Sequence, residues 1–165
     1  MAGGPARLFR LVDFWKDRSC LPLIAFQFPR AFAPDFPPET LERLASIPEV
    51  IGLKEASFDT PKTIETIATA RTLPRKLGIL TGSDTFIWEA MVMGCDGALI
   101  GFAGTATAEL IEMQRCAATR DYERGAAVAG GYRPIALGFH TLRFETAALA
   151  AASAITQARM RGSHG

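Results

Sequence analysis

The stretch EVIGLKEASFD, Glu49 to Asp59, ends a short apolar run with a lysine. An ammonium at the tip of such a run either snorkels to solvent or takes part in chemistry, and for a strand-end lysine the first is the commoner case. The second needs a neutral amine, because only the free base attacks a carbonyl carbon, and burial favours the neutral form. If the run is a strand, alternation puts Val50, Gly52 and Lys54 on one face and Ile51, Leu53 and Glu55 on the other. Gly52 would then leave space beside the long side chain of Lys54.

Other residues that could do chemistry are few. Cys20, Cys95 and Cys116 form no C-x-x-C pair, and their odd number predicts no disulfide framework and fits a reducing cytoplasm. His140 and His164 lie far apart, so no zinc site is expected, and nothing calls for another metal or a cofactor. In LTGSD, Leu80 to Asp84, either Ser83 or Asp84 reads as an N-cap for a helix beginning at Thr85. DGALIGFAG, Asp96 to Gly104, has glycines that admit close backbone approach, but it lacks the G-x-x-x-x-G-K-[ST] of a phosphate loop.

The elements that must position these residues repeat along the chain. Four apolar runs, Leu21–Phe28, Val50–Ala56, Leu77–Gly82 and Gly97–Phe102, are continuous rather than alternating, as in strands of a parallel sheet buried on both faces. Helical patterns follow them. PPETLERLASI has Pro and Glu in its first turn and Leu41, Leu44 and Ala45 on one face. DTPKTIETIATA offers Asp59 or Thr60 as N-cap and Ile64, Ile67 and Ala68 as its stripe. SDTFIWEAMVMG stacks Ile87, Trp88, Met91 and Val92 and stops at Gly94, while TATAELIEMQRCAA groups Leu110, Met113 and Ala117. Further helices are expected near Asp121–Ala129 and over Thr141–Arg159. The order is βαβαβαβα, with strand starts roughly 20 to 30 residues apart, the size of a βαβ repeat. Both a doubly wound open sheet and part of a (β/α)₈ barrel fit this order.

With 165 residues the chain suits one domain, read here as residues 1–160 with a disordered tail at 161–165. Apolar residues make up 48% of it and charged ones 21%, enough for a packed core and against disorder. The formal net charge is +1 with no charge block, which argues against nucleic acid or an anionic membrane surface and for a small ligand. No apolar run reaches the length of a membrane span, and the N-terminal stretch lacks the apolar segment of a secretory leader, so a cytoplasmic location is expected.

LPLIAFQFP, PETLERLASIPEVIGLKEASFD, LTGSD and MGCDGALIGFAG occur in this order over about Leu8 to Ala158. Together they resemble the C-terminal half of the dihydrodipicolinate synthase / N-acetylneuraminate lyase family of class I Schiff-base aldolases. The resemblance implies a TIM-barrel fold, with the four runs as barrel strands five to eight and no counterpart for the first four. It implies that Lys54 forms an imine with pyruvate or a related 2-keto acid, whose electron sink lets a neighbouring carbon–carbon bond form or break. Phe26, in FQFP, occupies the position where many members carry a proton-relaying tyrosine. Gly82 and Asp84 match residues that touch the second part of the substrate in the lyase branch, and Leu99 matches one whose backbone carbonyl lies against the pyruvate unit. Arg30 falls one place before an arginine of the synthase branch, and its role is not carried over. Phe28 reads as core packing. The threonine/serine pair that grips the keto-acid carboxylate belongs to the strands without counterpart.

A half barrel leaves two strand edges unpaired and its inner face open, with Ile24, Phe26, Phe28 and Val50 upon it. The expected partners are therefore a small keto acid and either a second copy, as a homo-oligomer, or a missing N-terminal half. The alternative to an aldolase is a truncated, non-catalytic remnant that associates through its strand edges.

Overall fold

A computed structural model describes residues 5–33, 35–101 and 103–131. The helix expected over Thr141–Arg159, the tail at 161–165, and His140 and His164 lie outside the described residues. The chain divides at Leu99/Ile100 into two units. The first contains α1 (Pro5–Ser19), β1 (Leu23–Gln27), α2 (Pro38–Ala45), β2 (Val50–Glu55), α3 (Thr60–Thr72), β3 (Gly78–Thr81), α4 (Ile87–Met93) and β4 (Gly97–Ala98). The second contains a single 3-10 turn at Ala103–Thr105, then α5 (Thr107–Thr119) and α6 (Tyr122–Gly130).

The strands form one parallel sheet in the order β1-β2-β3-β4. That order never reverses, so these four strands hold no switch point of a doubly wound sheet. The core lies between the sheet and its helices: Ala25, Val50, Leu53 and Ile79 from the strands meet Phe9, Val12, Leu41, Leu44, Ile67 and Ala90. On the other face of the sheet Ile24, Phe26, Phe28 and Leu99 remain exposed among the described residues. Hence, among the described residues of this unit, the continuous apolar runs that point to double burial have helices packed on one face only.

Strict alternation fails in β2. Leu23 pairs with Val50 but Ile24 with Gly52, so Ile51 is an extra residue, a β-bulge. Val50 is therefore fully buried on the helix side with Leu53 and Glu55, and Ile51 is exposed. Val50 does not join the open face expected for it.

The helices follow local signals with shifts of phase. α2 has Pro38 in its first turn and buries Leu41, Leu44 and Ala45, as the pattern predicts. The Asp59 carboxylate caps α3, accepting from the Lys62 N–H at 3.0 Å. The buried side of α3 is Thr63, Thr66 and Ile67, and Ile64 is exposed, because the Thr63 hydroxyl finds a buried partner on β2 and sets the rotation of the helix. α4 begins two residues later than predicted, burying Ile87, Ala90 and Met91 and leaving Val92 exposed, and it ends as expected at Gly94 with φ 118°. In α5 the buried residues are Leu110, Met113 and Cys116 rather than Ala117.

α1 was not anticipated from the sequence. Leu8, Phe9, Leu11, Val12, Phe14 and Trp15 give apolar character all round, and only Phe9 and Val12 are buried. At the N-terminal end of the strands, the Arg75 guanidinium donates to the carbonyls of Ala45, Ile47 and Val50 at 2.6–2.8 Å, tying the α2–β2 connection to the sheet.

Candidate active site

Lys54 sits one residue before the C-terminal end of β2, with Phe26 of β1 on one side and Leu80 of β3 on the other. Its side chain is partly buried and projects on the open face, away from the helices. Its Nζ lies 4.1 Å from the centroid of the Phe26 ring. Phe26 in turn stacks on Phe28, with centroids 3.9 Å apart and planes at 27°. Phe28 is thus not core but half exposed, stacked on the ring that faces the amine. Phe26 offers Lys54 a π-face and no exchangeable proton.

The room for Lys54 comes from Gly82, not Gly52. A Cβ at residue 82 would lie 2.8 Å from Lys54 Cε and 2.5 Å from Ala56 Cβ. The hydrogen of Gly52 instead points at the Gly78 carbonyl, where a Cβ would come within 2.9 Å. Gly82 also donates its N–H to the Glu55 carbonyl at 2.6 Å, which fastens the end of β3 to the strand carrying Lys54.

Leu99 is exposed just past β4, its N–H donating to the Thr81 carbonyl at 2.8 Å. Asp84 is exposed in the loop after β3. Neither Ser83 nor Asp84 caps α4, whose N-cap is Phe86 with no side-chain bond; the buried Ser83 hydroxyl lies 2.9 Å from that of Thr85 instead. Arg30 pairs with Asp35, 2.9 Å from its Nε.

The sequence reading missed a set of buried polar groups on the helix side of the same strand ends. Glu55 is fully buried. One carboxylate oxygen accepts from the Ser57 N–H at 2.9 Å and the other from the Thr63 hydroxyl at 2.5 Å. Gln27, opposite Glu55 on β1, donates to the Phe28 carbonyl at 2.8 Å and accepts from the Phe36 N–H at 2.6 Å. Between Glu55 and α3, Phe58 holds a left-handed φ of 58°, unusual for an aromatic residue. The only available signal was the acidic residue directly after the lysine in an apolar run.

The Cys95 thiol is pushed up to about 12, chiefly by burial and then by the negative charges of Glu55 and Asp96, so it is no nucleophile. Among the described residues no cluster of His, Cys, Asp and Glu has the makings of a metal site, and no helix is long and apolar enough to cross a membrane.

Known proteins share the sequence pattern and the fold of this chain. A 4-hydroxy-tetrahydrodipicolinate synthase of Streptococcus pneumoniae (strain Taiwan19F-14) is 31% identical over 122 residues, 72% of this chain and 37% of the relative. Among solved structures, dihydrodipicolinate synthase from Bacteroides thetaiotaomicron superposes with a TM-score of 0.68 at 22% identity, covering 79% of this chain and 43% of that one. The chloride-inhibited dihydrodipicolinate synthase from Acinetobacter baumannii, complexed with pyruvate, gives 0.65 at 26% identity, covering 76% and 42%. The chain thus spans less than half the length of these relatives. The model of the dihydrodipicolinate synthetase family matches residues 16–129, more than half of the chain, and the protein belongs to that family.

Proposed function

We propose that this chain carries the imine-forming part of a class I aldolase site, as a carbon–carbon lyase acting on pyruvate or a related 2-keto acid. The observation that carries the reading is Lys54, placed near the C-terminal end of its strand on the uncovered face, with Gly82 leaving room for its side chain. Barrel enzymes place their chemistry at that end of the strands. The neutral Lys54 amine adds to the ketone carbon, the oxygen leaves as water, and one proton taken up from solvent leaves a protonated imine. Loss of a proton from the adjacent carbon, or cleavage of a bond to it, sends the electron pair into the iminium and gives an enamine. Phe26 packs against the amine but moves no proton, so water carries the proton transfers. The backbone at Leu99 borders the keto acid, and Gly82 and Asp84 border the second substrate.

In this reading β1 to β4 are strands five to eight of a (β/α)₈ barrel, and a second copy or an N-terminal half completes the pocket. Sodium borohydride with pyruvate is expected to add a reduced adduct at Lys54, located by mass spectrometry and lost in Lys54→Ala. An unlabelled Lys54 on folded protein, with a full-length family member labelled in parallel, would overturn the reading. A second reading, a non-catalytic remnant that associates through its edges, is favoured by Phe26 in the tyrosine position and by the exposed Ile24, Phe26 and Phe28. It predicts no adduct.

A further inference from the structure

We infer that Glu55 and Thr63 form a positioning pair for Lys54, acting from the opposite face of the sheet; this rests on the imine reading of Lys54. Glu55 follows Lys54 directly, and strand alternation turns its carboxylate into the helix layer. There it is wholly buried, as is Thr63. A carboxylate is placed in such a site only when its oxygens are satisfied, and here both are. One oxygen holds the Ser57 N–H, in the loop that leaves the strand, and the other holds the Thr63 hydroxyl in the first turns of α3.

These two bonds span the segment that decides where Lys54 points. Ala56 N–H donates to the Gln27 carbonyl at 3.0 Å, and Gly82 N–H to the Glu55 carbonyl, so the neighbouring strands hold the same backbone from both sides. The loop between them carries Phe58 in its left-handed conformation, a form that persists only where the surroundings enforce it. The Glu55–Ser57 bond is the nearest such enforcement, with the Asp59 N–H donating to the Ser57 hydroxyl at 3.2 Å behind it. Removing the carboxylate or its hydroxyl partner frees the loop, and the Lys54 amine loses its fixed approach to a keto acid. A misplacement of one ångström can cost about 100-fold in rate.

The test uses Glu55→Gln, Thr63→Val and the conservative Thr63→Ser in the full chain. Folding is monitored by circular dichroism. Pyruvate–borohydride labelling of Lys54 is expected to fall about 10- to 100-fold in the first two variants and to return in Thr63→Ser. Labelling of Lys54 by formaldehyde and borohydride, which needs no keto-acid site, is expected to rise toward that of the exposed Lys76 in the same two variants. If the unaltered chain takes no pyruvate label, the imine reading fails while the formaldehyde comparison still decides the positioning. Unchanged formaldehyde labelling in folded Glu55→Gln and Thr63→Val overturns the inference. So does loss of fold in both, which assigns the pair to stability alone, or a Thr63→Ser that behaves like Thr63→Val.

Discussion

At the scale of single residues, the Phe26 ring and Gly82 define the surroundings of the Lys54 amine. Replacing Phe26 with Tyr supplies a proton-transfer group, which in enzymes is worth about 10²–10⁴-fold. Phe26→Tyr is therefore expected to speed the exchange of pyruvate methyl protons for deuterium, followed by NMR; an unchanged rate would show that proton transfer at this position is not limiting. Gly82→Ala is expected to cut borohydride labelling of Lys54 at least about tenfold. The new Cβ would lie 2.8 Å from Lys54 Cε and 2.5 Å from Ala56 Cβ, so the amine arm must shift from its present path. Full labelling of that variant would show that the amine has another way in. The place of Lys54 near a strand end was legible in the sequence because a charge interrupts an apolar run, while the role proposed for it came from the resemblance. Glu55 was not, since an acidic residue at a strand end reads as exposed, and its burial depends on Thr63, a partner supplied by α3.

At the scale of elements, α5 and α6 are joined by charge. The hydrogen bond and charge of Arg115, aided by Arg124, hold the Glu112 carboxyl down to about 2. A carboxyl whose pKa is lowered on folding stabilises above its ordinary value of 4.5, and the contribution is lost as pH falls toward about 2. Glu112→Gln should therefore lower the melting temperature slightly at pH 6, with the difference from the unaltered chain vanishing near pH 2; exposed pairs of this kind contribute little. A difference that persists at pH 2 would mean that Glu112 acts through packing instead. Two helix ends and the face of α2 were legible, whereas the start of α4 and the faces of α3 and α5 were not. The Asp59 cap and the Gly94 stop are local chemistry, whereas Ile64 and Ala117 lost their expected places because tertiary partners set the phase of α3 and α5.

At the scale of the whole molecule, Ile24, Phe26, Phe28 and Leu99 are exposed among the described residues, and β1 and β4 each have one unpaired edge among the described strands. Such a surface associates. Sedimentation at rising concentration is expected to show self-association, and a monomer with a cooperative melt at every concentration would contradict this. The parallel sheet was legible because its strands are continuous apolar runs. The open face with Ile24, Phe26 and Phe28 was expected only through the resemblance to half a barrel, because an apolar run does not say what lies against each face. Nor does it say where the pleat loses count, as it does at Ile51. From the fully buried Val50, strict alternation would carry Lys54 to the helix side as well, opposite Gln27 rather than Phe26. One supernumerary residue thus acts as a phase shifter between two demands on the same strand, a sealed beginning and a reactive end. A lineage that kept Ile51 but straightened the strand would keep every letter of GLKEAS and still turn its amine inward.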